Sequence, residues 1–264
     1  MKLQLLTTGA MANAIIAAAP TAATGHPWQN VFNDHLTNYW IAPDTTSKTA
    51  DIDLGSAHHI DGVAVFVPNY TSNFASASWL LRYSDDDFIY DPLSSGIAFN
   101  LPAVGSKIKL FGPYTGASHR YWEVYIAGTI TVLPQISRVM LFREFAIDVR
   151  ELRDGVMTLR HFNDVNRGPG GVCHVKGMQR QPAQRFERTY RLLNASDIAI
   201  LQAAYEDSCG SSYPLILVED EDYTNAVCVK FMSSPAIFKY RSPVKATIDF
   251  ELQQLPFVAA GDYV

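Results

Sequence analysis

The sequence predicts a mainly β protein in two domains, with a single helix confined to the second. Three observations predict it. Short β-branched and aromatic segments recur between Asp-, Gly-, Pro- and Ser-rich connections. Tyr121-Trp-Glu-Val-Tyr-Ile-Ala127 alternates so that successive side chains face opposite sides of a sheet. A helical apolar stripe comes only at Ile198, Leu201 and Tyr205.

In chain order, residues 1–24 superficially resemble a secretory leader. Thr7, Thr8, Gly9 and Asn13 interrupt the apolar run and Lys2 is its only basic residue, so the stretch is read as an extended lead-in and first strand. Strands are expected at 50–54, 62–67, 79–83, 107–111, 121–127 and 136–142, with connections at 68–78, 84–96 and 112–118. Short strands at this spacing, with no amphipathic helix among them, mean a β-sandwich over residues 1–143. The second domain, 144–264, opens with strands at 146–152 and 156–162. Arg153-Asp-Gly155 joins them as a hairpin, since Asp-Gly between alternating apolar residues is a strong turn signal. The Gly/Pro connection 166–171 leads into a strand pair ending near 185–193. A helix at about 195–208 follows, capped by Asn194 or Ser196 and stopped by Gly210, which enters the left-handed region without a steric penalty. Strands at 214–218, 226–232, 236–240 and 245–252 complete an antiparallel β domain with one packed helix.

Composition narrows the function. The hydrophobic fraction is 48% and the charged fraction 18%, below the roughly 25% of an average domain, which implies a surface covered by partners or rich in uncharged polar groups. Net charge is −5, from 21 basic and 26 acidic residues, which removes a general nucleic-acid binder. No apolar run is long enough for a membrane-spanning helix, so no membrane insertion is expected. Cys173, Cys209 and Cys228 are odd in number and lack any Cys-x-x-Cys spacing, so they are read as buried thiols.

Catalytic and metal patterns are weak. His58-His59-Ile60-Asp61 lacks a metal-binding spacing and is read as a surface turn. Asp85-Asp86-Asp87 and Glu219-Asp220-Glu221-Asp222 lack the register of a calcium loop and are read as solvated turns, with Ca²⁺ in the sandwich loops left open. Arg167-Gly-Pro-Gly-Gly171 lacks the Lys-Ser/Thr of a phosphate loop, and no Gly-x-Ser-x-Gly element occurs. No catalytic residue, metal or cofactor is expected, and the protein is read as a non-enzyme. Aromatic and amide residues are more suggestive. Trp28, Tyr39, Trp40, Asn69, Tyr70, Asn73 and Phe74 fall between or near strands, and sugars take aromatic faces for their C–H groups and amides for their hydroxyls. Asn69, Tyr70 and Asn73 are the candidate glycan contacts, with core or edge packing the alternative for each aromatic. For Trp40 and Trp122, in strand-like context, packing is preferred. Arg185, Arg188 and Arg191, with Arg180 before them, suit either a subunit interface or a solvated strand face.

Two stretches carry resemblances. Trp40-Ile-Ala-Pro43, Ala50-Asp-Ile-Asp-Leu-Gly55, Ile60-Asp-Gly-Val-Ala-Val65, residues 79–85 and His119-Arg-Tyr-Trp-Glu-Val-Tyr-Ile126 resemble the discoidin family over about 110 residues. That resemblance implies a galactose-binding-like jelly roll that binds sugars or lipid head groups through loops at one end, without a catalytic set. The paired terminal cysteines of the extracellular members are missing. Phe186-Glu-Arg-Thr-Tyr-Arg-Leu-Leu193, residues 196–207, Tyr213-Pro-Leu-Ile-Leu-Val218 and Ala246-Thr-Ile-Asp-Phe-Glu-Leu252 resemble, over about 80 residues and less specifically, the minor tail and distal tail proteins of tailed bacteriophages. This second resemblance implies a tail-tube-like antiparallel sandwich or barrel that assembles into rings, commonly hexamers. Tail tube, tape-measure and hub proteins would be its neighbours, and the virion tail tip or baseplate its location after synthesis in the host cytoplasm. The expectation is a structural tail-tip component whose N-terminal sandwich contacts host-surface glycans or other tail proteins. A free-standing carbohydrate-binding protein is the alternative.

Overall fold

The computed structural model describes residues 2–11, 14–32, 38–67, 78–87, 97–99, 108–111, 117–127, 133–151, 156–160, 163–167, 173–177, 183–192, 196–210, 212–219, 226–232 and 247–254. The first part of the chain holds β1 (Lys2–Thr7), β2 (Ile15–Ala18), β3 (Trp40–Ile41), β4 (Lys48–Ile60), β5 (Gly62–Phe66), β6 (Ser78–Ser84), β7 (Ile97–Phe99), β8 (Ile108–Phe111), β9 (Ala117–Ala127), β10 (Gln135–Ile136) and β11 (Arg138–Glu151), with 3-10 turns at Gly9–Met11 and Trp28–Phe32. The remainder holds β12 (Val156–Arg160), β13 (Asn163–Arg167), β14 (Cys173–Gly177), β15 (Ala183–Leu192), helix α1 (Ser196–Asp207), β16 (Leu215–Glu219), β17 (Val227–Phe231) and β18 (Thr247–Gln254). The protein is mainly β, and α1 is the one α-helix among the described residues. At 12 residues it is too short to cross a membrane.

The chain divides into two compact units. Of the described residues, 6–144 form a front unit, while 2–5 join 145–219, 226–232 and 247–254 in a back unit. The first strand is split between the units, because Leu3 and Leu5 pack into the back core.

The front unit is an antiparallel sandwich. One sheet has the order β2-β4-β9-β6-β7, and the other contains β11-β5-β8. Alternation decides which side chains go inside: Ile52, Leu54, Trp79, Leu81, Trp122, Val124 and Ile126 from the first sheet meet Val63, Val65, Val139 and Leu141 from the second. Both faces of β5 are buried, since Ala64 and Phe66 are as inaccessible as Val63 and Val65. The unbroken apolar run Val63–Val67 is the sequence mark of such a strand.

In the back unit the strand neighbours run β15-β18-β17-β16-β1-β11, and β11 pairs again with β15, so six strands close a circuit. Closure removes edges that an open sheet would expose. Its core is Leu3, Leu5, Phe145, Ile147, Leu215, Leu217, Val229, Phe231 and Leu252, and α1 adds Leu201 and Ala204. The expected stripe is the packed face: Leu201 is buried and Ile198 and Tyr205 lie against the core. Gly210, at φ +69°, donates its N–H to Tyr205 O at 2.9 Å and ends the helix.

Two expectations are corrected. Arg153-Asp-Gly155 is not the turn of a β11–β12 hairpin. Val149–Glu151 pairs with Leu192–Tyr190 and Val156–Arg160 with Glu187–Ala183, so β11 and β12 run in the same direction along one side of β15. Residues 152–155 themselves lie outside the described residues. The hairpin lies further on, where β13 pairs with β14 around the Gly/Pro connection and Arg167 faces Cys173. The second correction concerns His58 and His59. They lie within β4, paired with His119 and Ser118. The turn expected after Asp-Leu-Gly is a bulge: Gly55 takes φ +79° and four residues, 54–57, oppose Arg120 alone before the ladder resumes. Asn194 and the expected strand at 236–240 lie outside the described residues.

Candidate functional site

The front unit offers three polar surfaces, each fixed by β4 and β9. The first is the end of the sandwich where β4 begins. Asp44 Oδ1 accepts from Thr46 N at 2.8 Å and from Lys48 Nζ at 2.6 Å, and Lys48 Nζ also donates to Thr46 Oγ1 at 2.7 Å. These bonds, the Lys48 ammonium first, lower the Asp44 carboxyl to a pKa of about 2. The turn is tied by these bonds, with Asp44, Thr45, Thr46 and Ser47 exposed. β6 also begins at this end, where Ser78 pairs with Ala127 next to the Lys48–Ile126 pair. Asn69, Tyr70, Asn73 and Phe74 precede β6 in the chain. Those four residues themselves lie outside the described residues.

The second surface is the outward face of the five-stranded sheet. β4 contributes Asp51 and Asp53, β9 Tyr121, Glu123 and Tyr125, and β6 Arg82 and Ser84, in register across the three strands. Arg82 Nη1 donates to Glu123 Oε1 at 2.8 Å while its guanidinium lies 4.3 Å from the Tyr125 ring centre. Arg120 forks onto Asp53 through Nε and Nη2, each at 2.7 Å, and covers the Tyr121 ring. These Arg120 bonds, with the Gly55 N–H adding to them, hold the Asp53 carboxyl below the usual range against the opposing effect of burial. Asp51 goes the other way. Burial first, then the negative charges of Glu123 and Asp87, raise it to about 6. Asp51 and Glu123 are direct cross-strand partners, and Arg82 is the partner of Glu123 on its other side.

The third surface is the opposite end of the sheet. Tyr83 and His119 stack at 4.0 Å, 16° from parallel, and both pack against Trp122. His119 Nδ1 lies 3.1 Å from Asp85 Oδ1, Ser84 Oγ donates to Asp86, and Asp87 sits at φ +61°. The Asp85–Asp87 run is therefore a turn fastened to its own strands. His58 Nε2 is 3.0 Å from Ser56 Oγ, and His59 Nε2 is 2.9 Å from Asp61 Oδ1, so the adjacent histidines take different partners. Among the described residues no three His, Cys, Asp or Glu side chains are grouped to hold a metal.

The aromatic residues separate clearly. Trp28, Trp40, Trp79 and Trp122 are all buried in the front core. Trp28, read from its position as a loop aromatic, instead crosses Trp40 edge-on at 5.2 Å and belongs to that core. Tyr39 is half-buried and stacks on His26. Arg185, Arg188 and Arg191 all lie on β15, opposite Gln253, Phe250 and Thr247 of β18. That strand pairs with β18 on one side and with β12 and β11 on the other. Arg180 and 220–222 lie outside the described residues. Cys228 is buried but Cys209 is exposed, at φ +48° just beyond the helix, which corrects the reading of all three cysteines as buried. Sequence reasoning missed the Asp53–Arg120 fork and the Asp51–Glu123 pair. The available signal was the outward parity of Asp51, Asp53, Tyr121, Glu123 and Tyr125.

Neither a protein-family model nor a curated protein sequence matches the chain. Solved structures with partial likeness include CpGH89CBM32-5 from Clostridium perfringens, in complex with GalNAc-beta-1,3-galactose. It is 11% identical, with a TM-score of 0.42, over 52% of this chain and 100% of that one. The family 32 CBM of C. perfringens NanJ, in complex with galactose, is 8% identical, with a TM-score of 0.38, over 53% of this chain and 99% of that one. A third, SpGH29, is 13% identical with a TM-score of 0.37, and the match spans about a quarter of its length, 26%, and 49% of this chain. The sandwich architecture stands on the strand pairing described above.

Proposed function

We propose that the protein is a non-catalytic component of a bacteriophage tail tip, in which the back unit joins identical copies into a ring and the front sandwich meets host-surface glycans. The observation that carries this reading is the order of the two units. A sandwich with Asp44, Thr45, Thr46 and Ser47 exposed at one end precedes a closed strand circuit with one packed helix, the order that the two sequence resemblances imply. Weak single-site sugar binding gains strongly when several copies stand on one ring. The low charged fraction, 18%, suits a chain with extensive subunit contacts.

The acidic face supports the non-catalytic reading. Asp51 and Glu123 are direct cross-strand partners, and side chains so placed have Cβ atoms about 5 Å apart, which leaves little room for a scissile bond between the carboxyls. Arg82 is also committed to Glu123.

The test uses the full chain. Its mass in solution by light scattering is expected to be a ring multiple of the monomer. Glycan-array binding is expected to fall at least tenfold in an Asn69→Ala, Tyr70→Ala, Asn73→Ala triple variant of unchanged mass. A monomer that binds glycans would favour the free-standing carbohydrate-binding protein, and one that hydrolyses them would overturn the non-catalytic assignment.

A further inference from the structure

We propose that His26 and Tyr39 form a contact platform for an uncharged pyranose, with His26 Nε2 and Asn30 Oδ1 accepting hydrogen bonds from two of its hydroxyls. This inference rests on the glycan reading above, but not on Asn69, Tyr70 or Asn73.

The platform is built into the connection between β2 and β3, which is tied to itself and to β3. Ala23 N donates to Ile41 O at 2.9 Å, His26 N to Ala23 O at 3.0 Å and Asn30 N to Pro27 O at 3.1 Å. Trp28 is buried edge-on against Trp40, whose Nε1 reaches Thr21 O. On this anchored backbone the His26 and Tyr39 rings stack at 5.0 Å, 14° from parallel, and both stay half-buried. Sugars lay their C–H groups against aromatic surface of this kind.

Two contacts decide what the polar atoms beside the rings can do. His26 Nδ1 lies 3.3 Å from Tyr39 O, and Asn30 Nδ2 donates to the same oxygen at 3.0 Å. A carbonyl oxygen can only accept, so the neutral imidazole carries its proton on Nδ1 and Nε2 is left as an acceptor. The same oxygen orients the Asn30 amide and leaves Oδ1 as a second acceptor. Neither Nε2 nor Oδ1 is engaged by another described residue. Thr24, Gly25, Gln29 and Asn38 are exposed. Gly25, at φ +82°, has nothing within 4 Å of the place a Cβ would take, so the chain just before His26 is open to approach.

The acceptors fix the ligand class. Two of them call for two donors, which adjacent hydroxyls of a pyranose supply. A carboxylate would bring lone pairs against lone pairs and would need a cation. The chain has no Lys or Arg between Lys2 and Lys48, and Lys48 is taken by Asp44 and Thr46. The platform therefore selects uncharged sugars against uronic acids, by leaving a carboxylate unpaired.

The experiment uses the full chain on an array of galactose-, N-acetylglucosamine- and glucuronate-terminated oligosaccharides. Wild type is compared with His26→Phe, which keeps an aromatic ring beside Tyr39 and removes the Nε2 acceptor. Wild type is expected to bind at least one of the two uncharged sugars and not the glucuronate. His26→Phe is expected to lose at least tenfold on that sugar, with a melting temperature within a few degrees of wild type. A variant that binds as wild type does overturns the platform; if the Asn69, Tyr70, Asn73 triple variant still loses binding, the glycan reading stands. A wild type that prefers the glucuronate overturns the ligand class and the proposal with it. One that binds none of the three overturns the platform, and one that binds no glycan on a full array overturns the glycan reading as well. If His26→Phe does not melt cooperatively, the bound sugar is titrated into unmodified protein and the His26 ring resonances are followed by NMR, where signals that do not move overturn the contact.

Discussion

The two units solve the burial problem with different material. The front core is built on four tryptophans, and two of them are fastened to backbone: Trp40 Nε1 donates to Thr21 O and Trp122 Nε1 to His119 O, each at 3.1 Å. The back core is leucine, isoleucine, valine and phenylalanine inside a strand circuit, with α1 laid on it. Large aromatic side chains with a polar tip also tie down the chain at their rim. Aliphatic side chains fill a closed space without needing a partner. The front unit accordingly supports long connections and a polar outward face, while the back unit holds its shape by pairing.

Truncating each core at its centre is the sharpest comparison. Trp122→Ala is expected to destabilise the front unit by about 3–5 kcal/mol, and Leu201→Ala the back unit by about 2–5 kcal/mol. Calorimetry of the full chain should show each variant moving a different part of the melting profile. If both move the whole profile together, the two cores are one cooperative unit.

Next in size is Arg120→Ala, which leaves the Asp53 carboxylate almost buried without its fork. Asp53 has a lowered pKa in the folded state, so its contribution is present above the ordinary carboxylate value and lost as pH falls through the folded one. Wild type is therefore expected to lose front-unit stability on acidification, and Arg120→Ala to start lower at pH 7 and lose less. Parallel acid titrations of the two proteins would contradict this.

Gly210→Ala probes the back unit. The position has φ +69°, and an added Cβ would meet Tyr205 Oη at 3.1 Å, so a loss of about 1–2 kcal/mol is expected in chemical denaturation. The same change at an exposed glycine of ordinary φ would not be felt.

The smallest effect has the opposite sign. The Asp51 pKa is raised to about 6, so the stability linked to its proton is full below about pH 4 and lost as pH rises through 6. Asp51→Asn is expected to stabilise the front unit above pH 6 by about 1 kcal/mol after allowance for solvent screening, and not below pH 4. Equal melting temperatures for the two proteins at pH 8 would dismiss the raised Asp51 carboxyl.

The strands at 62–67, 79–83 and 121–127 were legible because each holds the period of its burial: continuous where both faces are covered, alternating where one is. The helix was legible from its stripe and its terminal glycine. Asp154-Gly155 misled because a dipeptide reports only that the chain is free to turn. Which strand then receives β12 was decided by β15, which is more than 20 residues further on. Asp51-Ile-Asp-Leu-Gly55 misled in the same way, its glycine marking a bulge that β9 bridges.

By itself the sequence determined which segments extend, which one coils, and which side chains avoid water, because these follow from local sterics and from the period of the apolar residues. Tertiary structure alone decided that Arg120 meets Asp53, that Asp51 lies beside Glu123, and that the back strands close on themselves. Each of these joins positions dozens of residues apart, and distance along a chain carries no information about distance in space until the cores have packed.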